Sequence, residues 1–185
     1  PSNPGQLDPK VFGGVAMTAV TSADSTNGTI RTKFYYVLNP TAGSPIFSVT
    51  FAAITTCSYM ITSWTGVDQT TPAGNGAASF GTSTAPAQAV TNLSGNAAIA
   101  SMAMATGTYT AAPATNLNTS TVFGFSYSLA TTLTFTWTIN ASRAWATAGM
   151  SLLASAAVSP PASSASGVSL SELRIIPARA APSGF

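Results

Sequence analysis

The chain has 185 residues, enough for one domain with its own hydrophobic core. Charged residues make up only 5% of it and the formal net charge is +2, which excludes charge-driven disorder and a basic nucleic-acid surface. With no His and a single Cys, Cys57, the chain cannot hold a Ser-His-Asp or Cys-His catalytic site, a Cys/His zinc centre or an intrachain disulfide.

Residues 1–12, with three prolines before a Gly pair, read as an extended arm. VAMTAV (15–20) is a short apolar strand, and TSADSTNG (21–28) is a cluster of turn formers. TIRTKFYYVL (29–38) alternates, with Ile30, Phe34, Tyr36 and Leu38 on one face and Arg31 and Lys33 on the other. NPTAGSP (39–45) is a second turn. IFSVTFAA (46–53) alternates again and gathers Phe47, Val49 and Phe51. CSYMITSWT (57–65) sets Met60, Thr62 and Trp64 opposite Cys57, Tyr59 and Ile61, and Cys57 reads as a small buried hydrophobe.

GVDQTTPAGNG (66–76) is a long turn-rich loop, and 79–92 holds one short strand. AAIASMAMA (97–105) alternates small residues with Ile and Met, a pattern that suits a strand or a helix. TVFGFSYSLA (121–130) and TLTFTWTIN (132–140) are the clearest strands. In the second, Leu133, Phe135, Trp137 and Ile139 share one face and four threonines the other, a separation that a helix would scatter. AWATAGMSLL (144–153) follows. Strands recurring without an amphipathic helix between them predict an all-β, antiparallel two-sheet β-sandwich over 13–153. Its core is expected to hold Phe47, Val49, Phe51, Leu133, Phe135, Trp137 and Ile139. Beyond it, 154–167 reads as a Pro/Ser/Ala linker, and 168–185 as a C-terminal assembly segment.

Four strings form an ordered set: GGVAMTAV (13–20), YYVLNPTAGSPIFSVTF (35–51), SWTGVDQTTP (63–72) and SRAWATAGMSLL (142–153). Together they resemble a β-sandwich domain of phage virion proteins and bacterial surface proteins. In that family an aromatic strand ends in Asn-Pro, the next leads into a GVDQTTP loop, and a closing strand opens with Arg-x-Trp-Ala. The resemblance covers 13–153 and implies a jelly-roll or lectin-like sandwich, used as a structural or adhesive module without a catalytic motif. Family members usually carry a further strand or two before GGVAMT, where this chain has the arm 1–12. The resemblance therefore also implies a bare sheet edge, of the kind that proteins normally cover.

Between Lys33 and Glu172 the only acid is Asp68 and the only base is Arg143. One acid and one base in a long globular segment invite a structural ion pair, Asp68 with Arg143, in which the guanidinium forks onto the carboxylate. The alternative is that each sits alone on a solvated loop.

The four carboxylates, Asp8, Asp24, Asp68 and Glu172, fall in an arm, a turn, a loop and a tail. That spacing argues against glycosidase chemistry, which needs two acids across one bond. A cation held by Asp68, Gln69 and Thr70 would have one carboxylate, too few for a good Ca²⁺ site. Trp64, Trp137 and Trp145 each lie in an alternating strand and read as core before sugar platforms. Four Asn-x-Ser/Thr sequons, at Asn27, Asn92, Asn118 and Asn140, are what chance gives in a chain this rich in Ser and Thr. No cofactor, metal or catalytic residue is therefore expected.

The expected function is that of a non-enzymatic virion structural protein, a capsid decoration (cement) or fibre-like component located in the virion. It would form a homo-oligomer, a trimer in the cement case, on major capsid or other virion proteins. Nucleic-acid and membrane partners are not expected, since no apolar run reaches membrane-spanning length. The alternatives are a bacterial extracellular or cell-surface filament or adhesin subunit, and a carbohydrate-binding module, for which a host-surface glycan would be the partner. Val168, Leu170, Leu173, Ile175 and Ile176 are expected to supply apolar assembly contacts, with Arg174 and Arg179 at the rim, by strand addition on a neighbour.

Overall fold

A computed structural model describes residues 7–40, 46–51, 58–111, 115–117 and 122–159. They are all-β, in several antiparallel sheets, and contain no helix. The chain divides into two compact units.

The described part of the first unit covers 7–18, 37–40 and 46–51. It is a three-stranded sheet in the order β2-β1-β5, formed by β1 (Leu7–Phe12), β2 (Val15–Ala16) and β5 (Phe47–Phe51). A tight turn at Gly13–Gly14 folds β2 back on β1, pairing Phe12 with Val15 and Val11 with Ala16. On its other edge β1 pairs with β5, from Phe12↔Phe47 to Leu7↔Phe51. Half of the expected arm is therefore a strand: Pro9 lies within it, but the ladder shifts register between Leu7 and Lys10 and so absorbs the missing N–H. Val49 is buried, as expected, and Phe47 is half-buried.

The second unit covers 19–36 and the described residues from 58 onward. It opens with a hairpin of β3 (Thr18–Asn27) and β4 (Ile30–Tyr36). The segment expected as a turn cluster is thus mostly strand, and the turn shrinks to Gly28–Thr29. Gly28 takes φ 60, which a two-residue hairpin loop of this kind requires and only glycine adopts without strain. The Ser, Asp and Asn side chains that mimic a loop composition find partners across strands. Ser25 Oγ donates to Ser79 O at 2.6 Å, and Asn27 Nδ2 donates to Gly81 O at 2.8 Å.

The centre of this unit is a five-stranded sheet, built from β7 (Ala73–Ser83), β9 (Ala97–Met104), β11 (Thr115–Asn116), β12 (Phe123–Ser128) and β15 (Arg143–Leu152). Its order is β11-β12-β9-β15-β7. The ambiguous segment 97–105 is a strand because it is paired on both edges, Ser101 standing between Phe125 and Ala148.

Both faces of this sheet are covered, so β9 and β15 are buried along almost their whole length. On one face Ala97, Ile99, Phe125, Ala148, Met150 and Leu152 pack with Val20, Ala23 and Phe34 of the hairpin and with Val67. On the other, Ala98, Ala100, Met102, Met104 and Trp145 pack with Val90, Phe135, Trp137 and Ile139. Those covering residues come from β8 (Ala87–Val90), which pairs with β13 (Leu133–Thr136), and from β14 (Thr138–Ile139), which pairs with β10 (Tyr109–Ala111). Phe135, Trp137 and Ile139 are inside and their threonine neighbours outside, as the alternation predicts, while Leu133 is half-buried. Small residues let three layers of backbone approach: a Cβ on Gly124 would lie 2.6 Å from Trp137 Nε1.

Three further segments depart from expectation. Residues 58–64 form no strand; the strand there is β6 (Thr65–Val67). The segment 79–92 holds the end of β7 and all of β8, with the chain turning between them at 84–86. The expected linker begins with β16 (Ala154–Ser159), which pairs with β6. Cys57, the side chain of Phe51 and the segment 160–185 lie outside the described residues.

Candidate functional site

The outward face of the β3–β4 hairpin carries the only ion pairs among the described residues. Arg31 forks onto Asp24, with Nε donating to Oδ1 at 2.8 Å and Nη2 to Oδ2. Lys33 Nζ lies 2.7 Å from Asp24 Oδ2. The three side chains are 14–21% exposed. Burial alone would raise the Asp24 pKa, but the hydrogen bonds and charges of Arg31 and Lys33 outweigh it and hold the carboxyl below its ordinary value. The Arg31 pKa is raised, chiefly by its hydrogen bond to Asp24. Lys33 also stands 5.5 Å from the Tyr35 ring centroid, within cation–π range. Two cations on one anion leave a single positive charge on this face. Sequence reasoning missed the cluster, although a two-residue turn at 28–29 puts position 24 opposite 33 on an antiparallel ladder.

The GVDQTTP loop is closed by its own backbone. Asp68 Oδ1 accepts the N–H groups of Thr70 and Thr71, each at 2.7 Å, an Asx-type turn. These two bonds, that of Thr71 first, lower the pKa of the Asp68 carboxyl. Gln69 Nε2 donates to Val67 O at 2.8 Å. Both ends of the loop are fixed to the residue that follows β15: Asp68 N donates to Leu153 O at 2.8 Å, and Leu153 N to Pro72 O at 2.9 Å.

The expected ion pair between Asp68 and Arg143 is not formed. Asp68 binds beside Leu153, and Arg143 begins the same strand at its far end. A ten-residue strand separates them by about 30 Å, at roughly 3.3 Å per residue. Asp68, Gln69 and Thr70 do not converge either: Asp68 Oδ1 is turned onto the N–H groups of Thr70 and Thr71, and Gln69 Nε2 onto Val67 O.

The three tryptophans lie against the cores. Trp137 and Trp145 are buried, and Trp145 Nε1 donates to Ser83 Oγ at 3.0 Å. Trp64 is half-buried, edge-on to Tyr127 at 5.5 Å. Three sequon asparagines are engaged: Asn27 Nδ2 donates to Gly81 O, the buried Asn92 Nδ2 donates to Ala130 O at 3.0 Å, and Asn140 Oδ1 accepts from Thr108 N at 3.3 Å. Asn118 lies outside the described residues. Among the described residues, three buried side-chain polar atoms have no hydrogen-bond partner: Asn92 Oδ1, Ser126 Oγ and Trp137 Nε1. No group of three or more His, Cys, Asp or Glu suited to a metal occurs among them. The expected assembly residues, Val168, Leu170, Leu173, Arg174, Ile175, Ile176 and Arg179, lie outside the described residues. No family model matches this chain, and comparison with curated proteins and with solved structures gives no match.

Proposed function

We propose that the chain is a non-enzymatic structural subunit of a virion, a capsid decoration or fibre-like protein of jelly-roll or lectin-like sandwich type, acting through subunit packing. The observation that carries this reading is the docking of the GVDQTTP loop on Leu153 through Asp68 and Pro72. Two of the strings that carry the family resemblance are hydrogen-bonded neighbours, and the Asp68 and Gln69 side chains bond the loop's own backbone. A charge-poor exterior with a doubly covered central sheet suits a rigid building block. In this reading the apolar residues of 168–185 add to a sheet edge of a neighbouring copy.

The test is the oligomeric state and capsid attachment of the full chain carrying Leu173→Ser, Ile175→Ser and Ile176→Ser. Light scattering after size exclusion should show a subunit that no longer associates or attaches, with an unchanged far-UV spectrum. Normal assembly of this variant would overturn the mechanism. Closed contacts in micrographs favour a decoration protein, and open head-to-tail filaments favour the bacterial surface subunit.

A further inference from the structure

We propose that Asn75–Gly76 is a self-modification site, at which the Asn75 side chain deamidates through a cyclic imide while the chain stays folded. The sequence holds two Asn-Gly pairs, Asn27–Gly28 and Asn75–Gly76, and the fold treats them oppositely. Asn27 is held: its Nδ2 donates to Gly81 O at 2.8 Å and to Trp145 O at 3.1 Å. Asn75 is exposed, and its side-chain amide has no hydrogen bond among the described residues.

The backbone at Asn75 is also out of the regular ladder. β7 pairs with β15 at Ala77↔Gly149 and again at Gly74↔Ser151. Asn75 and Gly76 therefore stand opposite Met150 alone, which is a β-bulge. Asn75 takes φ 45, in the left-handed region that costs an L-residue energy. Asn75 and Gly76 thus have no one-to-one partner on β15.

The chemistry is intramolecular. The backbone nitrogen of Gly76, unhindered because glycine has no Cβ, attacks Cγ of Asn75. The new C–N bond closes a five-membered imide as the Cγ–Nδ2 bond breaks, and ammonia leaves with the amide proton of Gly76. Solvent water then opens the ring at either carbonyl. One route gives aspartate; the other gives isoaspartate, whose main chain runs through the side-chain carboxyl carbon. Either product takes the formal net charge from +2 to +1, one carboxylate being added. The isoaspartyl route lengthens β7 next to Gly76, which lies against Ser22 of β3. The modification would thus loosen the edge of the central sheet.

The full chain should be incubated folded, at neutral and mildly alkaline pH, and mapped by mass spectrometry with fragmentation that separates aspartate from isoaspartate. Conversion at Asn75 should exceed that at Asn27 by about tenfold or more, since two hydrogen bonds must break before Asn27 reacts. It should quicken in alkali, where the attacking amide is deprotonated more often. In denaturant the two sites should converge. Asn75→Gln, which would need a larger ring, should abolish the conversion without changing the far-UV spectrum. Equal rates at both sites in the folded chain would overturn the proposal. So would an inert Asn75 in folded protein that reacts once denatured.

Discussion

Thr32 of the hairpin and Ser101 of the central sheet share a buried hydroxyl–hydroxyl hydrogen bond of 2.6 Å. It lies amid the apolar packing that joins β4 to β9, and each hydroxyl is the other's means of surviving burial. Thr32→Val leaves Ser101 buried and unpaired and should cost about 1–3 kcal/mol. Thr32→Val with Ser101→Ala removes both polar groups and should recover most of that loss. Urea titrations of the three proteins measure the asymmetry; equal destabilisation by the single and double variants would refute it.

Asp24 should make the fold acid-sensitive. Its pKa is depressed by Arg31 and Lys33, so its stabilising contribution is fully present above the unfolded value of about 3.9. That contribution is lost as pH falls through the lower folded value. Asp24→Asn should cost about 1.5–3 kcal/mol near neutral pH, the range for hydrogen bonds to a charged group. The gap between wild type and variant should close below about pH 4, as followed by the denaturation midpoint across a pH series.

Asp68 and Arg143 should behave independently. A double-mutant cycle to Ala should show no coupling, because the residues sit at opposite ends of β15. Asp68→Ala should speed amide hydrogen exchange at Thr70 and Thr71, whose N–H groups lose their acceptor. Unchanged exchange there would contradict the turn described here.

Gly124→Ala should damage the packed layer beneath Trp137. The added methyl meets the indole at 2.6 Å, an overpacking expected to cost about 1–3 kcal/mol. Phe135→Ala, which empties a fully buried site stacked on Trp137 at 6.2 Å, should cost about 3–5 kcal/mol. Thermal unfolding read by tryptophan fluorescence reports both.

The all-β class, the antiparallel arrangement and the inward face of 132–140 were legible in the sequence, because one-sided burial writes a period of two into a strand. Phe135, Trp137 and Ile139 followed from that period alone. β3 was not legible. Its serines, aspartate and asparagine have the composition of a turn, and only cross-strand partners such as Ser79, Gly81, Arg31 and Lys33 make them strand residues. The double burial of β9 and β15 was likewise hidden, since small residues carry little hydrophobic signal until layers close on both sides of them. Charge counting proposed Asp68 with Arg143, but pairing is decided by the ladder. Register placed these two at opposite ends of β15 and brought Asp24 to Arg31 and Lys33 instead, because a hydrogen-bonded sheet fixes distances that sequence spacing does not.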